Sequence, residues 1–258
     1  MSAETYTRSE MSAVTAARSL EDNKVAFVGT GLPLMAMALA QRLHAPHLVI
    51  VFEGGQVQPT ITRKYMPFSP NDIRASYRAI MLTKSTDVMA MMQRGHVDYG
   101  FIGGAQIDQY GNVNTSFVGD YRKPKVRLPG SGGANDIASL ATKTLIITKH
   151  EKRRFVEKVD FITSPGNVDE LGREKHGLIF GKPLFIITGL AIMDYDPSFG
   201  RVRLVKLQPG VSVQQVLDNT GFRPLIADKL EVNEPPTSEE LRILREIDPE
   251  GRWVEHPK

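Results

Sequence analysis

One carboxylate in this sequence stands where a reaction could be run. Leu48-Val49-Ile50-Val51-Phe52 is an apolar, β-branched run of the kind that forms a buried strand in a parallel sheet, and Glu53-Gly54-Gly55 follows it at once. Open α/β sheets bind ligands at the carboxyl ends of their strands, so Glu53 is placed where such folds do chemistry. The two glycines permit a tight turn and leave room for a bulky substrate. A carboxylate there can serve as a general base, or as a nucleophile toward an activated acyl group. The plain alternative is a hydrated glutamate at a strand end.

Other chemistries find little support. With no cysteine in 258 residues, disulfides, thiol nucleophiles and thiolate metal sites are excluded. The histidines (His44, His47, His96, His150, His176 and His256) are scattered, His44 and His47 straddle Pro46, and no carboxylate completes a zinc set, so no metal is expected. Neither a G-x-S-x-G elbow nor a Walker sequence is present. Gly29-Thr30-Gly31 opens a helix after a strand, as in dinucleotide-binding folds. Leu34, however, stands where the third small residue of that fingerprint lets helix and strand approach. Gly130-Ser131-Gly132-Gly133-Ala134-Asn135-Asp136 is a second glycine-rich stretch feeding a helix, whose backbone N–H groups suit a phosphate or an oxyanion. Lys149-His150-Glu151-Lys152-Arg153-Arg154 reads either as a solvated face or as a contact for an anionic cofactor tail.

These groups need a scaffold, and the pattern supplies an α/β one. Thr7-x-x-Glu10 is a capping box opening a helix over about Ser9 to Leu20. A strand at Val25–Val28, a helix with Pro33 in its first turn, and the strand before Glu53 form a right-handed parallel crossover. Thr60–Ala79, broken by prolines, is an irregular excursion over the carboxyl end of the sheet. Ser85 caps a helix whose methionines fill the core, Val97–Ile102 is a third strand, and Gly103-Gly104-Ala105-Gln106 follows it. Leu184–Thr188, Leu190–Tyr195 and Val202–Leu207 form an antiparallel meander. Ser212 and Thr237 start the last two helices. The expected fold is α/β, an open, mostly parallel sheet flanked by helices with a C-terminal antiparallel meander, in a single domain over 1–258. The net charge is +3, charged residues make up 24%, no apolar run has membrane-span length, and the start Met1–Arg8 is polar. A cytoplasmic protein is expected, with no nucleic-acid or membrane partner.

Several motifs, taken in order, resemble those of one family. They are Val28-Gly29-Thr30-Gly31-Leu32-Pro33, Val51-Phe52-Glu53-Gly54-Gly55, Phe101-Ile102-Gly103-Gly104-Ala105-Gln106-Ile107-Asp108, Tyr110-Gly111-Asn112-Val113-Asn114, Gly130–Asn135, His150–Phe155 and Thr163-Ser164-Pro165-Gly166. Over nearly its whole length the chain resembles the B-type (β) subunit of family I coenzyme A transferases, above all the glutaconate CoA-transferase type. The resemblance implies that Glu53, with Gly55, is the glutamate of the family's E-x-G motif. Glu53 would then carry a covalent glutamyl-CoA thioester while CoA passes from an acyl-CoA to a free acid, a dicarboxylic one among the candidates. It further implies coenzyme A as a substrate, an A-type (α) partner subunit, and Gly54, Gly55, Gln106, Gly132, Gly133 and Ala134 as candidates for holding CoA or the oxyanion. Gly54 departs from many members, which carry a larger or hydroxylated side chain there. Rival readings are an acyl-CoA hydrolase or decarboxylase on the same scaffold, and a non-catalytic CoA-binding subunit.

Overall fold

A computed structural model describes residues 5–257; the first four residues of the polar start lie outside them. The described residues divide into two compact units, with boundaries at Phe101/Ile102 and Glu234/Pro235. In each unit parallel and antiparallel strands are mixed, and helices accompany them.

In the first unit, helix α1 (Arg8–Arg18) opens on a capping box in which the Thr7 hydroxyl accepts from the Glu10 N–H and the Glu10 carboxylate accepts from the Thr7 N–H. Strand β1 (Val25–Phe27) leads through Gly31, at φ +86°, into helix α2 (Leu32–Leu43) with proline in its first turn. Strand β2 (Val49–Val51) is followed by two short strands, β3 (Gln56–Val57) and β4 (Met81–Leu82). Helix α3 (Ser85–Gln93) and strand β5 (Tyr99–Ile102) complete this stretch. The strand order is β5-β1-β2-β3-β4. β1 pairs in parallel with β2 and β5, as the crossover required. β2/β3 and β3/β4 are antiparallel, because the chain turns straight back after Glu53 instead of crossing over again. In α3 the expectations hold only in part. Lys84, not Ser85, is the N-cap, and Val88 and Met92 are buried while Met89 and Met91 stay half-exposed.

The second unit begins with two hairpins. β6 (Gln106–Ile107) pairs with β7 (Val113–Asn114), and β8 (Phe117–Gly119) pairs with β9 (Pro124–Arg127). Helix α4 (Ala134–Leu140) precedes β10 (Lys143–Ile147), β11 (Lys182–Ile187), β12 (Ala191–Tyr195) and β13 (Val202–Leu207). Helix α5 (Val213–Asp218), capped by Ser212, leads to β14 (Leu225–Val232). The β11-β12-β13 meander is antiparallel as expected, and β14 adds a parallel strand beyond it. Arg173 is buried and donates to the carbonyls of Ala138, Pro165, Gly166 and Phe180, which ties down the long loop before β11.

The chain then returns to the first unit as helix α6 (Ser238–Ile247), opened by a second capping box, Thr237 with Glu240. No helix among the described residues is long and apolar enough to cross a membrane.

Candidate active site around Glu53

The last residues before the site are fully buried, Ile50, Val51 and Phe52, and they fix the strand end rigidly in the core. The Gly55 N–H donates to the Phe52 carbonyl at 3.0 Å, and the Phe52 N–H donates to the Gln56 carbonyl at 2.9 Å. Glu53 and Gly54 are therefore the central pair of a turn, and Gly55 closes it in the left-handed region at φ +95°. A side chain at Gly55 would be excluded twice over. Besides the φ, its Cβ would lie 2.1 Å from the Thr83 carbonyl oxygen, whose own N–H donates back to the Gly55 carbonyl at 2.9 Å.

Glu53 is half-buried at the head of this turn, and its carboxylate has no hydrogen bond or ion pair with the described residues. Neighbouring acids differ. Asp72 is gripped by Arg74, at 2.6 Å and 3.0 Å, and by the Phe68 and Arg74 N–H groups, and the arginine before all else holds its carboxyl well below the usual range. Asp87 is bonded to the Thr83 hydroxyl and the Lys84 N–H. A carboxylate locked to an arginine is a poor nucleophile, whereas the lone pairs of Glu53 are uncommitted.

Gly54 is not among the positive-φ residues, yet it too lies in close quarters. A Cβ built on it would lie 2.7 Å and 2.9 Å from Oε1 and Nε2 of Gln56, and 2.8 Å from Oδ1 of Asn71. Two side-chain amides thus occupy the space that a larger residue at 54 would take. Asn71 belongs to the Thr60–Ala79 excursion, which also places the Phe68 carbonyl 3.5 Å from the Thr30 hydroxyl in the glycine turn after β1. The excursion accordingly runs past the carboxyl ends of β1 and β2, as expected. Its ends are fastened by the Thr60 N–H on the Tyr77 carbonyl and the Ile80 N–H on the Val57 carbonyl, and its interior by Tyr65 stacked on Tyr77 at 3.8 Å.

Gln106, Gly132, Gly133 and Ala134 belong to the second unit. Gln106 is buried, and its amide is a junction: Oε1 accepts from Asn114 at 2.6 Å and from the Asp160 N–H, while Nε2 donates to Asp160 at 2.9 Å. Asn135 of the glycine-rich stretch donates to the Thr163 carbonyl, and the Thr163 hydroxyl lies 3.4 Å from the Asn114 Oδ1. One network thus joins Gln106 to that loop through motif residues Asn114 and Thr163. The Ala134 N–H is taken by the Ser131 carbonyl, and α4 is only seven residues long, so its dipole is weak. The basic run is not a uniform solvated face. Arg153 is exposed, but His150 is buried between the hydroxyls of Thr188 and Thr220, and Arg154 donates to the Gly104 carbonyl. Among the described residues no group of three or more potential ligands could hold a metal ion.

A family model described as Coenzyme A transferase matches residues 9–219. The chain belongs to the coenzyme A transferase family. Its similarity to individual transferases extends over almost its full length. It is 39% identical over 247 residues to the B-type subunit of the 3-oxoadipate CoA-transferase of Pseudomonas knackmussii, covering 94% of each chain. It is 37% identical to the B-type subunit of the glutaconate CoA-transferase of Acidaminococcus fermentans, covering 98% of this chain and 96% of the relative. The crystal structure of that Acidaminococcus transferase superposes with a TM-score of 0.90, covering 98% of this chain and 99% of the other. A more distant relative, 29% identical over 84% of this chain and 81% of its own length, is the IpdB chain of the cholesterol ring-cleaving hydrolase of Rhodococcus jostii. In this transferase, Gln56 and Asn71, which crowd Gly54 beside Glu53, are candidate site residues that the sequence motifs did not single out. Gln56 was within reach of sequence reading, since the residue after a turn glycine on a returning strand can face back over the turn. Asn71 gave no signal, because it arrives from an aperiodic loop.

Proposed function

We propose that the chain is the B-type half of a two-subunit coenzyme A transferase, and that Glu53 is its nucleophile. The observation that carries this reading is the uncommitted Glu53 carboxylate at the head of a turn closed by Gly55. The carboxylate attacks the thioester carbonyl of an acyl-CoA, forming an acyl–glutamyl anhydride and releasing the CoA thiolate. The thiolate then attacks the Glu53 carbonyl, which frees the first acid and leaves a glutamyl-CoA thioester. An incoming carboxylate reverses these steps and leaves as the new acyl-CoA, while Glu53 is regenerated. A side-chain carboxylate suits this role because it can form both the anhydride and the thioester. The backbone N–H of Gly54, next to the nucleophile in the same turn, is assigned to the oxyanion.

Both closely similar transferases are named for dicarboxylic acids, which supports a dicarboxylic acyl group here. Both relatives are B-type chains, which supports an A-type partner. So does the surface of the first unit, where Ile80, Met81 and Leu82 are exposed on and beside β4, the strand at the end of its order.

The test is a substitution in the reconstituted complex. Glu53→Gln should lower acyl transfer from glutaconyl- or 3-oxoadipyl-CoA to an acceptor acid by at least ~1,000-fold, the loss typical of removing a nucleophile, and leave assembly of the complex intact. Turnover that persists in Glu53→Gln, or that proceeds without any acceptor acid, would favour the hydrolase reading that the Rhodococcus relative motivates.

A further inference from the structure

Beside Glu53 lies a polar group that the transfer chemistry above does not use. Gln56 is only 7% exposed, and its Oε1 is buried with no hydrogen-bond partner among the described residues. Buried amide oxygens are nearly always satisfied, and one left bare costs free energy that a binding partner can recover. Both polar ends of this amide lie within 3 Å of the point where a Gly54 Cβ would stand, so the unsatisfied atom sits over the residue following the nucleophile. The Asn71 Oδ1 lies 2.8 Å from the same point. Asn71 is exposed, and its side chain has no hydrogen bond with the described residues.

Resting on the transferase reading, we propose that Gln56 is a positioning residue that receives the amide of the pantetheine arm nearest the sulfur of CoA. The chemistry of the two groups matches. A carboxamide offers one acceptor and a pair of donor hydrogens, and a secondary amide offers the complementary N–H and C=O. In coenzyme A that secondary amide is joined to the sulfur by an ethylene link. With the sulfur at the Glu53 carbonyl, the proposal sets this amide beside residue 54, against Gln56. An amide–amide contact at that distance fixes the direction from which the thiolate approaches Glu53, which is where orientation contributes to rate. It also gives the bare glycine a purpose. Any side chain at 54 would compete with Gln56 and Asn71 for this space.

The experiment uses the reconstituted complex and two unreactive thioethers, S-ethyl-CoA and its analogue in which the amide nearest the sulfur is replaced by an ester and so lacks the N–H. The wild-type complex should bind the amide compound about tenfold more tightly, the value of one hydrogen bond to a buried acceptor. Gln56→Met should bind both compounds alike, at the level of the ester, and Gln56→Glu, which keeps an acceptor, should retain part of the preference. In turnover, Gln56→Met should lower kcat with the KM for the acceptor acid unchanged. Equal binding of amide and ester by the wild-type complex overturns the role of Gln56, and that arm needs no variant to fold. Because neither thioether reacts, a failed Glu53 nucleophile would leave these affinities unaltered. Failure of the complex to bind S-ethyl-CoA at all would overturn the proposal and the transferase reading together.

Discussion

Glu53 owes its exposure to a pair of glycines with different duties. Gly55 is held at φ +95° with the Thr83 carbonyl against it, so Gly55→Ala should destabilise the chain by about 2–4 kcal/mol through strain and steric conflict with backbone that cannot retreat. At Gly54 the obstacles are the far ends of two flexible amides, so Gly54→Ala should cost less than ~1 kcal/mol. Chemical denaturation of the two variants checks the contrast; equal losses would mean that the turn is not organised as described. Both glycines were legible in the sequence, because a buried strand followed by Glu-Gly-Gly admits few other geometries. Their division of labour was not. It depends on the register of the returning strand against Thr83, and on Asn71 arriving from a loop without periodicity.

At the scale of elements, α1 and α6 brace the first unit through reciprocal use of their capping residues. Glu10 caps α1 and accepts from Arg245 in the last turn of α6, at 2.8 Å; Glu240 caps α6 and accepts from Arg18 in the last turn of α1, at 2.7 Å. Each carboxylate thus meets the positive end of its own helix and a guanidinium from the other. Burial would raise the Glu10 pKa, but Arg245, the Thr7 N–H and His256 more than reverse it, and the carboxyl is held below its ordinary value. A depressed folded-state pKa contributes stability that is present above the unfolded value, about 4.3, and is lost as pH falls through the folded one. Wild-type stability should therefore drop on acidification below about pH 4.3, with this component absent in Glu10→Gln. Arg245→Leu should cost about 3 kcal/mol at neutral pH by leaving Glu10 buried and under-compensated. Urea midpoints across pH measure both. The capping boxes themselves were plain in the sequence, since Thr-x-x-Glu precedes an apolar period twice. That the two helices exchange arginines was not, because nothing local links residues more than two hundred positions apart. β14 was missed for a related reason: Leu225–Val232 mixes Asp228, Lys229 and Glu231 with apolar residues, and pairing with β13 overrides its weak strand signal.

For the whole molecule, family membership and near-complete alignment with B-type transferase chains frame an enzyme whose second subunit lies outside this chain. The proposal predicts that the purified chain, mixed with acyl-CoA and acceptor acid, is inactive, and that adding an A-type partner restores turnover. Leu82, 63% exposed beside Met81, should matter for that assembly. Leu82→Asp should weaken association about tenfold or more, read by mass photometry, with the fold of the free chain unchanged. Unaltered association would remove β4 from the interface.

Trapping reveals whether CoA is carried on Glu53. The complex is incubated with glutaconyl-CoA or 3-oxoadipyl-CoA in the absence of acceptor acid, treated with borohydride, and mapped by peptide mass spectrometry. The expected result is a CoA-sized mass increase on the B-type chain before borohydride, and reduction of Glu53 alone to the alcohol after it. Consumption of the acyl-CoA with Glu53 unmodified would contradict it, and would move the chemistry to water or to a proton instead of a glutamyl thioester.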